Sequence, residues 1–386
     1  MEFDLTETQK LFQRSARELF TQELPGVLAR ETAESNVDHS SKMWSHLQEQ
    51  GWTGLIFPEE LGGQGLGMVE LAVAFEEMGR ALVPGPFLST VPLAGALIER
   101  LPKNAHRDNY LKSICDGTAK ATVAIMEDDA SWGLDSLALT ASESSDGVKL
   151  SGKKLFVTDA AEADLILVPA RIGTSHVVAV VKKGASGTAI TPMPGIDSLR
   201  PLYQVVFEST PAADVLARGD AASSALAQAV DVATLALAAE MVGGMQFVLD
   251  ATVEYAKTRK QFGKPIGQFQ AIQHHCADML LMTESARSAV YYAAWAMESE
   301  PESGPLAVSV AKAYASDSYR EVGNLGIQTH GGIGFTWDHE LHFYYKRAKS
   351  AELLFGDATY HRERIAKLVI DGQTATVGLR AADAAD

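Results

Sequence analysis

The feature that most constrains this chain is the run from Ser224 to Gly263, SALAQAVDVATLALAAEMVGGMQFVLDATVEYAKTRKQFG. It is rich in Ala, the strongest helix former, and apolar around much of a helical circumference. A helix of that kind needs packing partners on most sides, so the run predicts a long buried helix that serves the core. Residues 270–298, 305–329 and 340–370 continue the helical pattern.

Two other textures precede it. In residues 3–30, Phe3, Leu5, Leu11, Phe12, Ala16, Leu19 and Phe20 recur at helical spacing, and Thr6 with Gln9 fits a capping box. A second helical segment surrounds Met43 to Gln50, and the Pro/Gly-rich turn IFPEELGGQGLG follows. MVELAVAFEEMGRAL then reads as a helix that stops before Pro84-Gly85-Pro86, and residues 88–118 also read as helical. Near Ala121 the pattern changes. ATVAIM, the stretch LALTASESSDGVKLSGKKLFVTDA, ADLILVPA, HVVAVVKK and YQVVFEST read as strands broken by Ser/Asp/Gly turns. The order is helices, strands, helices, which indicates segregated α+β architecture. The expected boundaries are a helical domain at 1–119, a β domain at 120–217, a helical bundle at 218–370 and a disordered small-residue tail at 371–386.

With 386 residues the chain exceeds one ordinary core. Its net charge of −16 disfavours nucleic acid, which needs a basic footprint. Cys115 and Cys276 are the only cysteines and lie outside any C-x-x-C, so neither a disulfide scaffold nor a cysteine zinc site is expected. The start, MEFDLTETQK, has no signal-peptide pattern, and no run of 18 or more apolar residues suggests a membrane span. The expectation is a cytoplasmic protein.

Two segments carry further information: YAKTRKQFGKPIGQFQAIQHHCADM (Tyr255 to Met279) and GIQTHGGIGFTWDHELHFYYKRAKSAELLFG (Gly326 to Gly356). Arg259 offers a permanently charged planar donor fork suited to a pyrophosphate. Gly331 and Gly332 allow close backbone approach to a ligand. Taken alone, Arg259 also fits an ion pair at a solvated helix end, and Gly331–Gly334 an ordinary helix C-cap. A Rossmann phosphate loop is excluded, because no strand precedes these glycines and the G-x-G-x-x-G spacing is missing. His274 and His275 point apart on a helix and do not form a metal pair.

In order and spacing, R-x-x-F-G with a following Gln, then Q-x-x-G-G-x-G-F, resemble the acyl-CoA dehydrogenase family. FPEELGGQG, EEMGR and LSGKKLFVTDAAEADLILV fit the same family, and the resemblance spans nearly all of residues 1–370. It implies an acyl-CoA dehydrogenase-like fold: an N-terminal helical domain, a middle β-barrel or sandwich domain, and a C-terminal four-helix bundle at the oligomer interface. It also implies α,β-dehydrogenation of an acyl-CoA thioester with FAD as hydride acceptor and an electron-transfer flavoprotein downstream. Arg259, Phe262, Gln270, Gln328, Gly331 and Gly332 then hold the adenine-dinucleotide half of FAD across a dimer interface. Phe156 and Thr158 of the Phe-Val-Thr segment cover the flavin, with Phe156 in place of the usual Trp. Without the resemblance, that segment reads as an edge strand with a buried Phe.

The departures from the family are specific. The flavin-binding T-E-P-x-x-G-S-D loop corresponds here to Met126-Glu127-Asp128-Asp129-Ala130-Ser131-Trp132-Gly133. Asp128 and Asp129 place negative charge where a diphosphate belongs, and like charges ~4 Å apart repel by about 1 kcal/mol even in water. The α-proton must be removed by a carboxylate within hydrogen-bond reach. At the two positions the family uses for that base, this chain has Phe355 and Ala233. Asp357 is an alternative base, but it also fits a helix N-cap for ATYHRERIAKL; Glu352 reads as structural. The nucleotide side persists while the flavin side and base are lost. This pattern resembles the base-less subunit of heteromeric, steroid side-chain-type dehydrogenases, in which two homologous subunits form an α2β2 assembly. The alternatives are a self-sufficient homo-oligomer with an atypical base, and a non-catalytic flavin-free protein on the same fold.

Overall fold

The computed structural model describes residues 4–23, 39–129, 132, 137–145 and 147–370. The expected end of the first helix beyond residue 23, the expected tail at 371–386, and Ala130, Ser131 and Gly133 lie outside them.

Helix α1 (Glu7–Glu23) starts with the expected capping box: the Gln9 amide donates to Thr6 Oγ1 at 3.2 Å, and the Thr6 amide donates to Gln9 Oε1 at 2.9 Å. Then come α2 (His39–Glu49) and α3 (Met68–Ala81), which ends before the predicted Pro-Gly-Pro stop. The stretch read as one helix over 88–118 is three pieces. A π-helical Ser89–Gly95 contains Pro92 and runs into α4 (Ala96–Arg100), and a break at Leu101–Asn104 precedes α5 (Ala105–Cys115). The reason is local. Proline lacks the amide donor a regular turn needs, and Asn104 accepts from the Arg107 amide at 2.9 Å, restarting the helix as an N-cap.

The strand texture yields β1 (Ala121–Val123), β2 (Thr140–Ser144), β3 (Gly147–Thr158), β4 (Leu165–Ile172), β5 (Ser175–Lys182), β6 (Thr188–Met193), β7 (Leu202–Pro211) and β8 (Asp214–Arg218). All eight join one sheet in the order β6-β7-β3-β2-β4-β5-β8, with β1 parallel to β4. Leu150, Val157, Val168, Val181, Val205 and Phe207 form part of its apolar core.

The Ala-rich run is a single helix as far as Thr258, α6 (Asp220–Thr258), and its end enters the short β9 (Lys260–Gln261), which pairs with β10 (Lys264–Pro265). Helix α6 has the length and hydropathy of a membrane span, but 89% of its most apolar window is buried within the fold. That is the predicted core role. Helices α7 (Gln270–Ser299) and α8 (Gly304–His330) follow. The expected helix at 340–370 is two helices, α9 (Leu341–Leu353) and α10 (Ala358–Ile370). Between them Phe355 and Gly356 take left-handed backbone, with φ of 59° and 101°, which no continuous helix tolerates.

By contacts the chain forms two compact units. One gathers the described residues of Met1–Gly26, Gly67–Leu82 and Thr234–Asp386; the other gathers those of Val27–Leu66 and Val83–Ala233. In the first unit, α3 and α6 touch at backbone level. A Cβ on Gly79 would stand 1.9 Å from the Glu240 carbonyl oxygen, and one on Gly243 1.8 Å from that of Glu76. The buried Arg347–Glu240 pair, at 2.5 Å, adds α9 to the same packing.

Candidate cofactor site

The nucleotide-side residues sit at two places in the first unit. Arg259 directly follows α6 and is exposed; among the described residues it has no ion-pair partner. The β9–β10 hairpin then puts Phe262 at its tip with φ 54° and a side chain 91% exposed. An aromatic held outward in strained backbone is a feature that folding alone does not favour. Gln270, first residue of α7, and Gln328, near the end of α8, are both exposed.

Gly331 takes φ +66° and ends α8. Gly332 is different. Its φ is outside the left-handed range, and a Cβ built on it meets nothing within 4 Å. The chain itself gives no reason for glycine at 332, which leaves close approach by something outside the chain.

A contact not foreseen from the sequence joins the two places. Tyr255, one turn before Arg259, stacks on His330 with centroids 4.3 Å apart and planes 21° apart. His330 immediately precedes Gly331, and its Nδ1 donates to the Gly326 carbonyl at 2.8 Å. Burial pushes the His330 imidazole below its ordinary pKa, so it is neutral at neutral pH. The only sequence signal was position: each partner lies within one helical turn of a motif residue.

The flavin-side pair lies on β3 in the other unit. A bulge between Lys154 and Val157 places Phe156 at φ 52°, with its ring 40% exposed and its amide directed to Met193 Sδ at 3.4 Å. The bland reading of a buried edge-strand Phe is thereby corrected, because the bulge turns this residue outward. Thr158 is buried, and its carbonyl accepts from the Thr122 hydroxyl at 2.8 Å.

The loop before β2 also differs from expectation. Glu127 is a structural anchor: Oε1 accepts from the Lys154 ammonium at 2.6 Å and from the Leu139 amide at 3.1 Å, and Oε2 accepts from the Ala138 amide at 2.7 Å. Burial pushes the Lys154 ammonium down to about 8, opposed by Glu127. Asp128 is not an unopposed charge, since it pairs with Lys153 at 2.8 Å. The repulsion expected at Asp128 is therefore reduced.

Ala233 is fully buried in α6, and Phe355 is 2% exposed. Neither offers a carboxylate. Asp357 is engaged as an N-cap, its Oδ1 accepting from the Tyr360 amide at 2.7 Å. Glu352 pairs with Arg320.

These residues fit the nucleotide portion of a dinucleotide cofactor: an exposed guanidinium without an ion-pair partner among the described residues, two exposed glutamine amides and a bare glycine. Known proteins resemble this chain over most of its length. Residues 6–118 match the acyl-CoA dehydrogenase N-terminal domain, and residues 223–370 match the C-terminal domain. The acyl-CoA dehydrogenase IpdE2 of Mycolicibacterium smegmatis is 28% identical over 94% of this chain and 98% of its own length. Among solved structures, a chain of the ChsE4-ChsE5 complex from Mycobacterium tuberculosis superposes with a TM-score of 0.86 at 26% identity, covering 97% of this chain and 100% of that one. A variant of the Tcur3481-Tcur3483 steroid ACAD gives a TM-score of 0.84 at 31% identity, covering 95% and 98%. With both domain patterns in place over the expected three-part fold, the chain belongs to the acyl-CoA dehydrogenase family, FAD-dependent oxidoreductases acting on acyl-CoA thioesters.

Proposed function

We propose that this chain is the base-less subunit of a heteromeric acyl-CoA dehydrogenase and grips the adenine-dinucleotide half of FAD for a homologous partner subunit. Gly332 carries the reading, because nothing within the chain requires glycine there. Arg259 supplies charge-assisted donors to the diphosphate, Gln270 and Gln328 supply amide groups, and Phe262 packs from the hairpin tip. Phe156 and Thr158 contribute on the flavin side. Bound FAD supplies the hydride acceptor. With Phe355 and Ala233 at the base positions and Asp357 engaged as a cap, this chain moves no α-proton, so the carboxylate belongs to the partner. The hetero-complexes among its structural relatives support an α2β2 assembly and a steroid-type acyl-CoA. An electron-transfer flavoprotein as electron acceptor and a cytoplasmic setting complete the reading.

The test is co-expression with a homologous subunit followed by flavin absorbance and turnover. The chain alone is expected to be colourless, and the assembly yellow and active. Arg259→Ala should lower FAD occupancy of the assembly by an amount set by one charge-assisted contact, about 1.5–3 kcal/mol. Full occupancy in that variant, or a yellow and active lone chain, overturns the proposal.

A further inference from the structure

A second site lies in the helical unit, lined by none of the residues assigned to the cofactor. Helices α1, α3, α6 and α7 line a solvent-open cavity of about 260 Å³. Three guanidiniums (Arg17, Arg80, Arg287) and three carboxylates (Glu76, Glu77, Asp250) line it, so its formal charge is zero. The accessible charge is not zero. The Glu76 and Glu77 side chains are 7% and 1% exposed, whereas those of Arg17, Arg80 and Arg287 are 50%, 29% and 22% exposed; Asp250, at 45%, is the single accessible anion.

Hydrogen-bond capacity shows the same asymmetry. All six carboxylate oxygens are engaged. Glu77 takes both from Arg17, at 2.6 and 2.9 Å. Glu76 accepts from Arg287 Nε at 3.0 Å and from the Tyr291 hydroxyl at 2.9 Å. Asp250 accepts from Gln246 at 2.9 Å and pairs with Arg80 Nη2 at 2.7 Å. Each nitrogen of Arg287 has a partner, since the other two reach Glu284 and Gln246. Among the described residues, Arg17 Nη1 and Arg80 Nε and Nη1 make no bond, and the Gln13 amide is the one other side-chain group of the lining without a partner.

A ligand that completes this site must bring acceptors and negative charge, and a guanidinium edge pairs best with a planar two-oxygen group. The volume exceeds what one inorganic ion fills. We propose that this four-helix cavity binds a small organic carboxylate between Arg17 and Arg80.

The test uses succinate as probe on the full chain, by isothermal titration calorimetry at constant ionic strength. Saturable one-to-one binding is expected, and it should weaken by roughly tenfold or more in Arg17→Lys/Arg80→Lys, where charge opposite Glu77 and Asp250 persists but the planar fork is gone. If the double variant does not fold, Arg80→Lys alone provides the same comparison, because its partner Asp250 is at the surface. Absence of saturable succinate binding, equal binding in a folded lysine variant, or an equal response to phosphate or sodium chloride would overturn the proposal.

Discussion

The buried Lys312 ammonium donates to the carbonyl oxygen of Gly356 at 2.8 Å, in the loop where the family places its base. It also donates to the Glu352 carbonyl at 3.1 Å, and His361 Nε2 donates to the Phe355 carbonyl at 3.1 Å. Two side chains thus satisfy carbonyls left open by the break between α9 and α10. Burial is the main reason the Lys312 ammonium is pushed down to about 7. Burial, then the neighbouring Lys312 charge, pushes His361 down to about 3.

These shifts set a pH dependence of stability. Between about pH 3 and 6.5 the unfolded chain protonates His361 while the folded chain does not, so stability falls as pH falls through that window. Between about pH 7 and 10.4 the unfolded chain keeps the Lys312 proton longer, so stability rises with pH there. Each contribution is on the order of a few kcal/mol. Urea denaturation across pH should show the acid slope flattened in His361→Gln and the alkaline rise flattened in Lys312→Met. An unchanged slope in either variant contradicts the assignment.

Gly332→Ala separates binding from folding. Because a Cβ there meets nothing, the expected change in unfolding free energy is within about 0.5 kcal/mol, while FAD occupancy of the assembled enzyme drops. Gly331→Ala should instead cost about 1 kcal/mol of stability through its left-handed backbone. Thermal melts and flavin content of the two variants, measured together, decide the point.

Glu127→Ala removes the partner of a fully buried lysine and two amide acceptors at once. Leaving one member of a buried pair alone costs about 3–5 kcal/mol. Equilibrium denaturation reads the effect directly, and a loss under 1 kcal/mol would mean that Lys154 finds another partner.

Asp357 tests the base assignment from the other side. Asp357→Ala should lose about 1 kcal/mol of stability with the N-cap, and Asp357→Asn, itself a good cap, should lose little. Turnover of the assembled enzyme is expected to survive Asp357→Asn; collapse with FAD still bound would make Asp357 the base.

Much of the architecture was legible from one dimension. Thr6 and Gln9 announced the start of α1, the Ala-rich run announced a buried central helix, and the strand texture began at Ala121 as read. Such features depend on neighbours a few residues away, where hydrophobic period and capping chemistry act directly. The helix at 340–370 failed because its residues favour helix while Lys312, distant in sequence, and the nearby His361 hold the break open.

The sequence by itself determined the family, the order of helices and strands, and the absence of a carboxylate at residues 233 and 355. Tertiary structure alone decided that Asp128 is neutralised by Lys153, that Phe156 turns outward at a bulge, and that Tyr255 stacks on His330. The physical reason is range. Propensity and periodicity act along the chain, whereas ion pairing, ring stacking and burial depend on which distant residues the fold brings within a few ångströms.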